Sequence, residues 1–214
     1  MDSVFLRIPL FPLPAVLMPG TPLPLHIFEE RYRMLIRRCI ETGEEFGVVF
    51  ITGTQVRSVG CTAEIVQVMK KYEDGRFDLM TQGKRRFTIG AIHDELPYLE
   101  GSVHYFNDEE GTDADSEALI HSGVRLIAHV SALAEVDMDP AFLKKLSNEE
   151  LSFVLAGTCS TDLEERQALL ELRSTGERLS RSVLCLEQSV LQMRYQRKLA
   201  ALCDGEFQPE DFRN

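Results

Sequence analysis

Proline is hard to place inside regular structure, and this chain sets six of its nine prolines between positions 9 and 24. The run reads Ile8-Pro9-Leu10-Phe11-Pro12-Leu13-Pro14, then Val16-Leu17-Met18-Pro19-Gly20, then Pro22-Leu23-Pro24-Leu25. Each proline fixes φ and removes an amide donor, so neither a helix nor a central strand can run through the whole segment. Its large apolar side chains must still leave water. Those two demands together predict short edge strands broken by rigid turns, with Pro19-Gly20 making a tight turn.

The pattern changes after Phe28. Tyr32, Leu35, Ile36, Cys39 and Ile40 recur at helical spacing, and Gly43 is placed to end that helix. Val4, Leu6 and Ile8 alternate ahead of the proline run, as on a half-buried strand. Phe46 to Ile51 is a continuous apolar run, which predicts a strand covered on both faces. Residues 53–58 read as a polar loop. Cys61 to Tyr72 is a further strand, Glu73-Asp74-Gly75 a hairpin turn, and Arg76 to Thr81 its return. Gly83 allows a bend, Arg86 to Ile89 continues as strand, and Leu99, Gly101, Val103 and Tyr105 alternate last. Six or seven short strands around one early helix predict a closed or nearly closed barrel, because closure removes exposed edges.

Between Asn107 and Glu117 stand six acids and no base, which predicts a solvated connector. Beyond it the period is helical. Leu119, Ser122, Leu126, Val130 and Leu133 share one face, and that helix ends near Asp137 to Pro140. Ser147 caps a short helix from Glu149 to Gly157, and Thr161-Asp162 opens another running to about Arg173. Leu179, Val183, Leu186, Val190 and Met193, with Ala200 in phase, mark a last helix from about Thr175 to Leu202, on the order of 40 Å long at 1.5 Å per residue. The expected architecture is α+β. A barrel occupies residues 1–106, an acidic connector 107–117, and a four-helix lobe with a long last helix 118–214.

The early words resemble the N-terminal, substrate-recognition domain of the ATP-dependent protease Lon, a domain also found on its own and within cereblon. That family's pattern runs Leu-Pro-Leu-Phe-Pro-Leu, then Leu-Phe-Pro-Gly, then Leu-Pro-Leu-His-Ile-Phe-Glu-Pro-Arg-Tyr. The matching stretches are Ile8 to Leu13, Leu17 to Gly20 and Leu23 to Tyr32, with Met18 where Phe is usual and Glu30 where Pro is usual. Phe46 to Val49, Val59 to Ile65, Asp74 to Arg76 and Gly83 to Phe87 are similar to later family words. Leu151-Ser152 with Ala156, and Asp162 to Leu172, resemble its helices. The resemblance implies that the barrel is of the PUA-like type and that the protein recognises polypeptides. Full-length Lon adds ATPase and Ser/Lys peptidase modules, for which this sequence has no counterpart.

Composition narrows the chemistry. At 214 residues, 44% hydrophobic and 27% charged, the chain reads as an ordinary soluble protein. Its apolar runs fall far short of a bilayer span, and its start lacks a basic leader, so we expect a cytoplasmic protein with no membrane partner. Cysteines 39, 61, 159, 185 and 203 are odd in number and lack a Cys-x-x-Cys pair, which suits free thiols rather than disulfides or zinc. The net charge of −11 disfavours nucleic acid, leaving Arg31, Arg33, Arg37 and Arg38, and Lys84-Arg85-Arg86, as solvated or ion-paired surface.

No P-loop, Gly-x-Ser-x-Gly, His-Glu-x-x-His or EF-hand pattern is present, so neither a cofactor nor a metal is expected and no catalytic residue is assigned. His26 reads as a turn or core hydrogen-bonding group, His93-Asp94-Glu95 as a polar turn, and His121 with His129 as too far apart for helical ligands. What remains is binding. Phe11, Leu13, Val16 and Met18 lie on a stiff segment where exposed apolar groups lose little freedom on contact, and they are the candidate peptide-binding residues. The expected partners are unfolded or hydrophobic polypeptide segments, with a protease or chaperone to receive them, and a homodimer through the C-terminal helices fits the same reading. Two alternatives stay open: an RNA-binding PUA-like module acting through Lys84 to Arg86, and a small-molecule enzyme or sensor built around Cys61 or His26.

Overall fold

A computed structural model describes residues 5–109, 116–133, 140–143, 145–159 and 162–203. The proline run yields two strands, β1 (Leu6–Leu13) and β2 (Pro22–Ile27). A helix, α1 (Glu30–Thr42), follows, then β3 (Phe46–Thr52), β4 (Gln55–Lys71), β5 (Phe77–His93) and β6 (Glu100–Tyr105). The sheet order is β2-β5-β4-β3-β1-β6, and β6 pairs back onto β5. Five strands therefore close a ring, and β2 hangs on the first half of β5.

The prolines explain how β1 can sit inside that order. Leu6 to Pro9 pair with β6, whereas Leu10 to Leu13 pair in parallel with β3, so each half carries one ladder only. Pro9 and Pro12 have opposite parity, and their missing donors fall on opposite sides of the strand. The expected edge strand is thus two half-edges laid end to end. For β2 the expectation holds more simply. Among the described residues it pairs with β5 alone, and Pro22 and Pro24 share one parity along it.

Helix α1 buries Tyr32, Leu35, Ile36 and Cys39, and Gly43 in the left-handed region (φ 72°) donates its N–H to the Cys39 carbonyl. Ile40, expected on the buried face, lies on its shoulder and is exposed. The polar loop expected at 53–58 is a tight turn instead. Gly53 takes φ 61°, and β4 begins at Gln55. At Gly83 the turn that carries Pro19 meets the sheet: Gly83 N–H donates to the Thr21 carbonyl, and Gly20 N–H to the Gly83 carbonyl.

After the barrel come α2 (Ser116–Leu133), the single turn α3 (Pro140–Leu143), α4 (Asn148–Thr158), α5 (Leu163–Glu171) and α6 (Thr175–Cys203). The α+β class with a long last helix is as expected, with α3 added to the four anticipated helices. Ser147 and Glu150 form a complete capping box on α4, and the Asp162 side chain caps α5 through the Glu165 N–H. On α2 the buried positions are Gly123, Ile127, Val130 and Ser131, a face rotated slightly from the expected one, with Leu119 and Leu126 packed at its margin. Val4, residues 110–115 of the connector, the helix end at Asp137, Thr161, and the side chains of Leu133, Ala200 and Cys203 lie outside the described residues.

Three apolar clusters hold the fold. One fills the barrel end formed by Ile8, Leu10, Val49, Phe87 and Val103. A second joins barrel to helices: Phe11, Met18, Ile27, Tyr32, Phe46 and Leu79 pack with Phe153 and Ala156 of α4 and Leu169 and Leu170 of α5. A third lies among α2, α4 and α6 around Ile127, Leu155 and Leu186. No helix among the described residues is long and apolar enough to cross a membrane.

A buried ionic knot ties the same two regions. Asp108 accepts from Arg86 of β5, from Arg178 of α6 (2.5 and 3.1 Å) and from the Thr175 hydroxyl (2.5 Å). Arg86 also donates to the carbonyls of Leu170 (3.0 Å) and Leu172, the orphan acceptors at the end of α5. Arg178 donates to Ser152 (2.8 Å) and lies 3.8 Å above the Phe153 ring. The expectation of a wholly solvated connector therefore fails at Asp108, whose charge is required by two buried guanidiniums.

Candidate functional site

The proline run ends β1 with Pro12-Leu13-Pro14, and this rigid corner forms one wall of an open cleft of about 770 Å³. The end of β2 supplies Ile27 and Phe28 follows it, α1 supplies Tyr32, the end of β3 and the start of β4 supply the paired Ile51 and Val56, and the loop before β6 supplies Leu96 to Leu99. Phe11 is the floor. Its ring meets Tyr32 edge-on at 4.3 Å and Phe46 edge-on at 6.0 Å, a herringbone that fixes the rings in place. Phe28 stands exposed at the rim, with its ring stacked at 6.1 Å on that of His26, and Leu96 is exposed opposite.

Polar groups are few and lie at the mouth. Arg31 pairs with Glu29 at 2.9 Å and sits 4.5 Å over the Tyr32 ring, and Asp94 and His26 complete the rim. His26 Nδ1 lies 2.6 Å from Asp78 Oδ1, and Tyr72 donates to the other carboxylate oxygen at 2.7 Å. His26 therefore has the hydrogen bond expected of it, across two strands at the surface rather than in the core. Hydrogen bonds from His26 first, then Tyr72, hold the Asp78 carboxyl below its ordinary pKa.

The loop that carries Tyr98 is anchored from behind. Buried Glu100 accepts from Arg7 (2.7 Å) and Arg38 (2.7 Å), and Arg38 also reaches the Tyr98 hydroxyl (3.3 Å). Bonding to Tyr98 and Glu100 raises the Arg38 pKa above its ordinary value, so this anchor stays charged.

Of the four residues singled out by sequence, two reach the cleft. Phe11 is buried beneath it and Leu13 half-buried along its wall. Val16 is half-buried against the core and does not line the cleft. Met18 is 1% exposed and belongs to the core. It lies under β5 and α4, where a Cβ at Gly83 would meet the Met18 carbonyl oxygen at 2.1 Å and one at Gly157 would meet Met18 Cγ at 3.7 Å. Alternation along a strand could not assign all four, because Val16 and Met18 lie beyond the end of β1, in the stretch that leads to β2. Phe28 and the Leu96-Pro97-Tyr98 loop were missed. Their one signal is an apolar residue just outside an element, which periodicity does not register.

The other constellations read from sequence carry little free chemistry. Lys84 pairs with Glu64 (3.0 Å), Arg85 with Glu45 (3.1 Å), and Arg86 is buried in the ionic knot. Arg33 pairs with Glu30, and Arg38 with Glu44 and Glu100. The Cys61 thiol is fully buried and pushed up to about 12 by that burial, which leaves no thiolate near neutral pH. Among the described residues no group of three or more His, Cys, Asp or Glu could hold a metal ion. Cys39, Cys61, Cys159 and Cys185 are free and buried.

Comparison with known proteins places this cleft in context. Residues 7–188 match the family model described as the ATP-dependent protease La (LON) substrate-binding domain. The Lon protease of Parabacteroides distasonis is 31% identical over 196 residues, covering 85% of this chain and 24% of that protein. The Lon protease of Flavobacterium johnsoniae is 27% identical over 192 residues, covering 83% and 23%. The chain thus spans about a quarter of the length of the curated relatives it matches. Among solved structures, a Lon N-terminal domain protein from Xanthomonas campestris aligns with a TM-score of 0.63 at 26% identity, over 82% of this chain and 96% of that one. The N-terminal domain of Mycobacterium avium complex Lon protease aligns with a TM-score of 0.68 at 22% identity, over 85% and 98%, and shares the fold.

Proposed function

The chain belongs to the LON substrate-binding domain family, and from that premise we propose that its cleft holds apolar segments of other polypeptides without breaking bonds in them. One observation carries the reading: an open, mostly apolar cleft is walled by a proline corner and floored by locked rings, with its few polar groups confined to the mouth. A preformed surface of this kind loses little freedom when a flexible chain settles on it. Exposed Phe28 and Leu96 are the groups a client side chain meets first, and Leu13 the wall it slides along. Phe11 acts from beneath by keeping Tyr32 in place, and Val16 and Met18 drop out of the contact set.

The further steps are also ours. We take the protein to work in the cytoplasm, as a non-catalytic receptor that passes clients to a protease or chaperone. We divide it into a barrel to residue 106 and a helical lobe from 118. An RNA-binding reading finds Lys84, Arg85 and Arg86 already paired, and a thiol enzyme at Cys61 finds that sulfur sealed.

The test is fluorescence anisotropy with a labelled, extended peptide rich in Leu and Phe. Phe28→Asp and Leu13→Asp should each weaken binding roughly tenfold or more, the loss expected when a buried apolar contact of about 1.5–3 kcal/mol is replaced by a charge. Val66→Asp, at an exposed apolar site off the cleft, should bind as the wild type does. Equal binding by all four proteins would end the proposal for this cleft.

A further inference from the structure

Helix α6 runs past the helices it packs on. Its inner face, with Leu179, Leu186 and Val190, is buried against α2 and α4, but residues 194–199 are exposed all round. Along its outer face Leu184, Leu191, Tyr195 and Leu199 are 57%, 56%, 70% and 59% exposed. At 100° per residue, Leu184, Leu191 and Tyr195 fall within about 40° of arc and Leu199 within a further 40°. This is a seam at coiled-coil spacing, and an exposed helical end of about six residues is marginal in water.

The charges beside the seam indicate what covers it. Glu187 stands on one flank in the first half of α6, and Arg194 and Lys198 on the same flank in the second half. Two antiparallel helices related by a two-fold axis bring like flanks together. We infer that α6 docks on α6 of a second copy of this chain, antiparallel, with the two-fold axis near Leu191. In that pairing Leu191 meets its own copy and Leu184 lies at the level of the second copy's Leu199. Glu187 falls between the second copy's Arg194 and Lys198, twice by symmetry. Arg194 keeps its contact with the His129 ring (3.3 Å), so Lys198 is the principal partner. A parallel pairing would instead set this flank against the opposite one, which at these levels carries Gln188, Gln192 and Tyr195 and leaves Glu187 without a cation, so the charge pattern selects the antiparallel one. The surface lies away from the cleft and does not depend on what the cleft binds.

Sedimentation velocity on the full chain, over about a thousandfold concentration range centred near 10 μM, reads the assembly directly. Wild type should pass from monomer to dimer. Leu191→Glu, which sets two carboxylates on the axis, should stay monomeric with an unchanged far-ultraviolet circular dichroism spectrum, since the position is exposed. Glu187→Lys should raise the dissociation constant about tenfold, two exposed attractive pairs having become repulsive. The double exchange Glu187→Lys with Lys198→Glu should restore the wild-type constant. A wild type that remains monomeric throughout overturns the inference, and so does a dimer that Leu191→Glu leaves intact. A dimer lost on Leu191→Glu but indifferent to both charge variants overturns the antiparallel arrangement.

Discussion

Replacing Asp108 with Asn tests whether the ionic knot holds barrel and helices together. The carboxylate receives bonds from Arg86, from two nitrogens of Arg178 and from Thr175, and both guanidiniums are buried. Asparagine keeps the shape and one acceptor but removes the charge, so two cations are left buried without an anion. Breaking a buried pair in this way costs about 3–5 kcal/mol. For a chain of this length each kcal/mol shifts the melting temperature by roughly 2–4 °C, so a fall of roughly 10 °C is expected. Differential scanning calorimetry, with urea melts followed by circular dichroism, measures it. Adding Arg178→Met to the Asp108→Asn protein should recover part of the loss, because one stranded cation is gone and its stem volume is kept. The pH dependence has a definite sign. Burial alone would raise the Asp108 pKa, but bonding from Arg178 and Thr175 and the two positive charges outweigh it, and the folded value lies below the ordinary one. Its stabilisation is therefore complete above an unfolded pKa near 4 and is lost as pH falls through the lower folded value. The Asn variant should lack that component of acid sensitivity. A variant melting within about 2 °C of wild type would refute the argument, since it would place the knot's net contribution below about 1 kcal/mol.

Three shorter predictions concern the rest of the molecule. Gly83→Ala should cost about 2 kcal/mol or more in urea melts, because the new methyl meets the Met18 backbone oxygen and the turn at Pro19 must move. Ser147→Ala should cost about 1 kcal/mol by removing the α4 capping box, and the deficit should shrink in acid: bonds from the Ser147 backbone and side chain lower the Glu150 pKa, so the cap weakens as that carboxylate protonates. Cys39, Cys61, Cys159 and Cys185 should resist a thiol reagent such as DTNB at neutral pH until urea unfolds the chain. Their rapid labelling in the native protein would contradict the burial that raises the thiols of Cys39, Cys61 and Cys159.

Much of the scaffold was legible because its elements are written locally. Helical spacing and Gly43 bounded α1, Asp74-Gly75 marked the β4–β5 turn, and Ser147 and Asp162 announced their helices. The cleft was legible only in outline. Phe11 and Leu13 were found because prolines flank them, but Met18, beside a proline too, turns inward at Gly83, and which way it faces is fixed by a strand far along the chain. Arg86 and Asp108 were read as surface because a charge carries no local sign of the partner that will bury it. The rim group Phe28 breaks no rule and satisfies no period, so only three-dimensional placement reveals it.

The two prolines of like parity on β2 have a last consequence. A sheet grows by zipping a newcomer's carbonyls onto a row of amide hydrogens, and Pro22 and Pro24 leave gaps in that row where β2 meets solvent. A neighbouring extended chain can rest beside the barrel but finds no continuous ladder to extend. The open edge of the barrel is thereby a poor template for fibril growth.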